Sequence, residues 1–320
     1  MVPTLQRSIG SQFDAFATAA EVVAGVDLTG QTVIVTGGAS GLGLETTRAL
    51  SSAGATVVVP VRDPARARHA TDGIGGIELV QLDLVHPASI EAFAARFLSS
   101  GRALPILINS AGIMATPLGR DASGNELQFA TNHLGHFRLA RALWPALQRA
   151  KAARVVSVSS RGHLIAGVDF EDPNFTRRDY DKWKAYGQSK TANALFAIAL
   201  DARGRDSGIR AFSLHPGQIL TELARHLSAE EIDGFGARDA NGVPKVDPAK
   251  GMKTPQQGAA TSVWCATSPQ LDGLGGVYCE DCDVAPVYHG GDARKGVAPW
   301  AADPELAERL WILSDRLTTA

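Results

Sequence analysis

Tyr186 and Lys190 stand four residues apart in the run Tyr186-Gly187-Gln188-Ser189-Lys190, at the opening of a stretch with helical pattern. That spacing puts a phenol and an ammonium on one face of a helix. A nearby cation favours the phenolate, which brings a group of unperturbed pKa about 10 closer to neutrality and lets it exchange a proton with an alcohol or a carbonyl. A surface tyrosine beside a solvated lysine has the same spacing, so the pair gains meaning only from what surrounds it.

A second cluster supplies that context. The run Thr36-Gly37-Gly38-Ala39-Ser40-Gly41-Leu42-Gly43 follows a β-branched segment and leads into a helical pattern. Gly37, Gly41 and Gly43 permit a tight turn and close approach of backbone to a pyrophosphate, whose charge the N–H groups opening the helix, from Ser40 through Leu42, would face. Such a turn after the first strand of an alternating chain predicts a dinucleotide site. The second strand ends Val59-Pro60-Val61-Arg62-Asp63. An NAD site puts a carboxylate at this tip to bond both ribose hydroxyls. Here Val61 occupies the tip and Arg62 can pair with a 2′-phosphate, so NADP(H) is favoured, with NAD(H) open. Asp63 reads as the cap of the next helix. Asp83 and Leu84, after the third strand, are candidates for the adenine, although an Asp there also serves turns. After the fourth strand, Ala111 and Gly112 are small enough to let a cofactor lie on the sheet edge, and Asn109 would stabilise the turn.

The elements that must position these residues are legible in the alternation. Short apolar runs at 32–35, 55–59, 77–82, 105–108, 154–158 and 209–214 are separated by longer helical patterns, some opening on Asp63-Pro64 or His86-Pro87, where Pro suits a first turn. This rhythm predicts an α/β fold: a doubly wound, Rossmann-type parallel sheet with helices on both faces, in a single domain over 30–320. Residues 1–29 form an N-terminal extension expected to be helical, with Phe13, Phe16, Ala17, Ala20 and Val23 at helical spacing and Ser11 and Asp14 as a capping box. The stretch 222–254 is Gly-, Pro- and charge-rich with little periodicity and reads as a substrate lid. A capped helix runs from Thr254-Pro255 to about Thr267, and a last helix covers about 304–318.

Taken together, these residues resemble the short-chain dehydrogenase/reductase family from about Asp27 to Cys279. The glycine turn, Asn109-Ser110-Ala111-Gly112, Asn132, Ser159-Ser160, Tyr186 with Lys190, and His215-Pro216-Gly217 occur in the family's order. Val61-Arg62-Asp63, Asn132-His133-Leu134-Gly135-His136-Phe137 and His215-Pro216-Gly217 look most like the retinol dehydrogenase-like branch. The resemblance implies Tyr186 as general acid in reduction, with Lys190 lowering its pKa and holding the nicotinamide ribose. It also implies Ser160 on the substrate oxygen, Asn132 bending its helix and holding a water, and Pro216, Gly217 and Thr221 around the nicotinamide. The longer Ser-to-Tyr gap, from an insertion containing Asp169 to Lys184, matches that branch and leaves the choice between Ser159 and Ser160 open.

The implied function is hydride transfer between NADP(H) and a carbonyl or alcohol of a hydrophobic substrate. An NAD-linked catabolic alcohol dehydrogenase and a non-catalytic dinucleotide sensor are the competing readings. With 320 residues, 45% hydrophobic content and a formal charge of −2, the chain has neither the field for a nucleic acid nor an apolar run long enough for a membrane. The first ten residues carry no apolar run and the cysteines number three, so a cytoplasmic protein without disulfides is expected. A homodimer or homotetramer through the helices bearing Asn132 and Lys190 is implied by the resemblance. No metal set is expected: His133 and His136 lack a third ligand, and Cys279-Glu280-Asp281-Cys282 reads as a structural loop. Trp183, His163, Phe170 and Phe175 either line a substrate pocket or form a small core of the insertion.

Overall fold

The computed structural model describes residues 6–239, 241–291 and 295–319. Along the chain run α1 (Ala19–Val23), β1 (Thr32–Thr36), α2 (Gly41–Ser52), β2 (Thr56–Val61), α3 (Pro64–Ala70), β3 (Ile77–Gln81), α4 (Pro87–Ser99) and β4 (Ile106–Asn109). The second half continues with α5 (Leu127–Phe129), α6 (Gly135–Ala142), α7 (Trp144–Arg149), β5 (Ala153–Val158), α8 (Lys182–Gly204), β6 (Ile209–His215), α9 (Ala229–Gly234), α10 (Pro255–Thr267), β7 (Val277–Glu280), β8 (Asp283–Val284) and α11 (Pro304–Thr319).

The sheet order is β3-β2-β1-β4-β5-β6-β7-β8, parallel except for β8. Side chains alternate across it. Ile34, Val58, Leu107 and Val155 enter one core with α4, α6, α8 and α11. Val33, Val35, Val57 and Val59 enter the other with α1, α2 and α10. Burial on both faces explains why these strands read as continuous apolar runs, each buried valine contributing roughly 1.5–3 kcal/mol. The chain leaves β1 toward β2 on one side and β4 pairs on the other, so the order reverses at β1 and opens a crevice at the carboxyl ends of these strands.

All six expected strands form, and the helices at 255–267 and 304–319 fall where their caps and periodicity put them. Three expectations need correction. Within the predicted helical extension, only Ala19–Val23 is helix, capped by Thr18 and Glu21 and not by Ser11 and Asp14. Asp14 and Ser11 instead close local turns by accepting from Phe16 and Phe13 N–H, which competes with helix; residues 1–5 of that extension lie outside the described residues. The stretch 222–254, read above as a lid, contains a short helix, α9, whose Ser228–Glu231 capping box was readable in the sequence; residue 240 of that stretch lies outside the described residues. Cys279 and Glu280 belong to β7, and only Asp281 and Cys282 make the turn into β8, both at positive φ. The cysteines are buried and unbonded.

The last helix lies across α8. Trp311 packs edge-on against Phe137 and stacks on Phe196, the Arg203 guanidinium lies 4.2 Å from the Trp311 ring centre, and Arg203 pairs with Glu308 at 2.7 Å. His133 joins the same face through Ser314, 2.7 Å away. Among the described residues, no helix is long and apolar enough to cross a membrane.

Candidate active site

One cavity of about 1430 Å³ follows the carboxyl edge of the sheet from Arg62 past the glycine turn to Tyr186 and Lys190. The turn is built for close backbone contact. Gly37 has φ +68° and a β-carbon there would stand 2.9 Å from Ala111 Cα, while one on Gly43 would stand 2.2 Å from the Gly37 carbonyl oxygen. Ser40 begins α2 without a side-chain cap, so no side chain meets the first N–H groups of the helix where they face the cavity. Uncapped amides, a shortage of side chains and an elongated cavity fit the pyrophosphate of a dinucleotide.

At one end of the cavity, Asp63 accepts hydrogen bonds from Ala65 and Arg66 N–H, at 3.0 and 3.1 Å, as the cap of α3. Its carboxylate is therefore committed to the helix, leaving Arg62 exposed at the rim. Arg66, one turn into α3, lines the same end and was not singled out from the sequence. Asp83 and Leu84 also line the cavity, with Asp83 accepting from Val85 N–H.

Ala111 and Gly112 line the middle of the cavity, but the turn that carries them is not held by Asn109. Both polar atoms of the Asn109 side chain are buried without a partner. The work falls to Thr36, whose oxygen accepts from Ser110 and Ala111 N–H at 2.9 and 3.0 Å. A hydroxyl in the last position of β1 reaches across to the end of β4 because the two strands pair in register there.

Asn132 sits in a π-helical turn, Ala130–Leu134, which bends the chain between α5 and α6. Its side chain accepts from Ile113 N–H at 2.8 Å and donates to the Ile113 carbonyl and the Ser189 hydroxyl, both at 2.9 Å. It thereby ties the turn after β4 to α8. A β-carbon on Gly112 would lie 3.0 Å from Asn132 Oδ1 and 3.7 Å from Lys190 Nζ, so these three residues meet.

Ser159 and Ser160 differ in what surrounds them. Ser159 is buried and donates to the Lys190 carbonyl at 2.7 Å, whereas Ser160 accepts from Gly162 N–H at 3.0 Å and lines the cavity together with Tyr186. The Tyr186 ring packs on Gly162, where a β-carbon would come within 2.7 Å of it. His215 Nδ1 accepts from Arg161 N–H at 3.0 Å, which fixes the residue next to Ser160. Pro216 and Gly217 line the cavity, and Thr221 approaches Gly41 from the lid side.

The phenol differs from expectation in one respect. Burial pushes Tyr186 up to about 12, against a lowering by Ser160, and pulls the Lys190 ammonium down to about 8. Lys190 Nζ lies 5.7 Å from the Tyr186 ring centre and donates to the Val158 carbonyl at 3.0 Å. Desolvation outweighs the cation at that distance.

Of the aromatic and imidazole residues left open, Trp183 lines the cavity. His163 is buried against Tyr278 and accepts from Ala298 N–H, Phe175 packs with Tyr180 and Arg178, and Phe170 lies under Arg309. Phe235, carried by the lid, faces Trp183 across the cavity mouth and had no signal in the sequence.

The fold and the order of these residues agree with three comparisons. The model of the short chain dehydrogenase family matches residues 31–232, and the chain belongs to that family. It is 48% identical over 293 residues to a "Probable oxidoreductase" of Streptomyces lividans, covering 89% of this chain and 97% of that one. It is 36% identical over 303 residues to retinol dehydrogenase 12 of Homo sapiens, covering 91% and 87%. A solved structure of an uncharacterised protein from Mycobacterium paratuberculosis superposes with a TM-score of 0.71 at 32% identity, over 95% of this chain and 98% of that one. The protein is thus an NAD(P)-dependent oxidoreductase acting on CH–OH or C=O groups, with relatives in the retinol dehydrogenase-like branch.

Proposed function

We propose that the chain reduces the carbonyl of a hydrophobic substrate with NADPH, or oxidises the corresponding alcohol with NADP. The observation that carries this reading is the meeting of Tyr186, Lys190 and Ser160 at one end of the cavity whose other end holds Arg62 and Arg66. Gly37, Ser40, Gly41, Leu42 and Gly43 would receive the pyrophosphate, Arg62 and Arg66 the 2′-phosphate, and Asp83 and Leu84 the adenine. Asn109 ends β4 beneath this edge while Thr36 holds the turn, Ala111 and Gly112 form the floor, and Pro216, Gly217 and Thr221 close the nicotinamide end.

When bound, the nicotinamide supplies the hydride. Ser160 holds the substrate oxygen by its hydroxyl, and Tyr186 gives its proton to that oxygen as negative charge develops there. A phenol protonated across the physiological range is suited to donation in the reductive direction. The Lys190 ammonium stabilises the phenolate that remains, and Asn132 keeps the Gly112 turn and α8 in register. Carriage of Lys190 on the same helix as Tyr186 makes this geometry rigid.

The substrate end is walled by Ile113, Met114, Leu164, Ile165, Trp183 and Leu223, which favours an apolar molecule. A dimer through the helices bearing Asn132 and Lys190 would require α11 to leave them, so the reading is of a chain that works without that contact, in the cytoplasm. The test is to follow consumption of NADPH and of NADH by the purified protein with a panel of apolar aldehydes and ketones. Turnover with NADPH preferred supports the reading. Binding of NADPH with no turnover of any member would leave only a dinucleotide sensor.

A further inference from the structure

Trp183 occupies the first turn of α8, three residues before Tyr186, and its ring meets the Tyr186 ring edge to face at 6.4 Å and 85°. On its other side it meets Phe235 at 5.3 Å and 72°. Phe235 is 50% exposed and lines the cavity. Ile165, 47% exposed, stands on the insertion side of the same mouth.

The lid holds this arrangement by polar contacts away from the rings. Glu231 on α9 pairs with Lys182 at 2.6 Å, immediately before Trp183. The Lys182 amine lies 5.9 Å from the Trp183 ring centre, so this pair stands beside that ring. Gln218 donates to the Phe235 carbonyl at 3.2 Å, and the lid ends are pinned where Gln218 N–H donates to the Gly251 carbonyl at 2.7 Å. Two aromatic faces are therefore presented at a set angle beside the proton donor.

We propose that Trp183 and Phe235 form an aromatic clamp that selects substrates whose carbonyl or carbinol is attached to a flat, unsaturated ring system, with Glu231 as the residue that holds α9 against the start of α8 through Lys182. This rests on the reaction proposed above. A planar ring can stack or meet edge-on with both faces, while a puckered ring of the same skeleton loses those contacts, a difference of about fivefold in affinity.

The test compares kcat/KM with NADPH for naphthaldehyde and for its fully hydrogenated counterpart, decalin carbaldehyde, in the wild type, Trp183→Leu, Trp183→Phe, Phe235→Leu and Glu231→Gln. The wild type should prefer naphthaldehyde by about fivefold or more. Trp183→Leu and Phe235→Leu should bring the ratio close to one with the NADPH dissociation constant unchanged. Trp183→Phe should restore part of the preference, and Glu231→Gln should lower it without removing it. A ratio that stays the same in Trp183→Leu overturns the clamp while leaving the reaction intact. If neither aldehyde is consumed, the reaction reading fails, and naphthaldehyde binding by quenching of indole fluorescence still decides the clamp: binding weakened by Phe235→Leu supports it, and equal binding overturns it.

Discussion

Thr36 and His136 are hydrogen-bonded at 2.9 Å, and the direction of that bond links the cofactor turn to the bent helix. His136 Nδ1 donates to the Asn132 carbonyl at 3.0 Å, so its Nε2 is the acceptor and the Thr36 hydroxyl the donor. The Thr36 oxygen is then free to accept from Ser110 and Ala111 N–H. A chain of buried hydrogen bonds thus runs from the turn after β4 to the π-helical turn at Asn132.

Thr36→Val removes the centre of that chain and leaves His136 Nε2 and two backbone N–H groups without partners. Each unsatisfied buried group costs about 1–3 kcal/mol. The two N–H groups border the cavity, where water can reach them, so the imidazole carries most of the cost: urea unfolding should show a loss of about 1–3 kcal/mol, and NADPH should bind more weakly. Thr36→Ser, which keeps the hydroxyl, should retain most of both. Equal stability of the valine and serine variants would refute the network.

Cofactor choice provides a second test. Arg62→Ala and Arg66→Ala should each weaken NADPH binding by about tenfold, the scale of one charge-assisted contact, with NADH affinity little changed. The ratio of dissociation constants for the two cofactors is the measurement. If it does not move in the double variant, the 2′-phosphate has another partner.

Stability should fall in mild acid. His133, His136 and His163 are buried and hold their imidazoles down to about 3, about 4 and about 4, and burial also depresses His215. Between those values and the unfolded value of about 6.5, the unfolded chain binds protons that the folded chain refuses. Their contribution is complete above about pH 6.5 and is lost as the pH falls through that window. Glu126 and Glu280, whose carboxyls burial raises, act in the opposite sense, and four histidines outweigh two carboxyls. The slope is about 1.4 kcal/mol per pH unit for each uncompensated group. Urea midpoints should therefore be clearly lower at about pH 5 than at about pH 7. Equal midpoints would contradict the burial of these rings as neutral groups.

The two features most legible in the sequence were the strands and the cluster around Tyr186, for one reason. Strands buried on both faces leave unbroken apolar runs, and a catalytic pair on one helix is an i, i+4 spacing. Thr36 was less visible because its partners come from β4 and α6, distant in the chain. Phe235 was invisible for the same reason: only the folded lid brings it to Trp183. The acidity of Tyr186 was misjudged because sequence spacing reveals the neighbouring cation but not how thoroughly both groups are removed from water. The leader was overread as helix because its apolar spacing was counted without weighing the turns that Ser11 and Asp14 form with their own backbone.

The central claim is that Tyr186 delivers the proton. It is tested most directly by Tyr186→Phe, assayed for reduction of an aldehyde the wild type consumes and, in parallel, for NADPH binding. Loss of the phenol should lower kcat by at least about a hundredfold, the lower end for a positioned general acid, while the NADPH dissociation constant stays within about twofold. A variant that reduces the aldehyde at the wild-type rate would contradict the account.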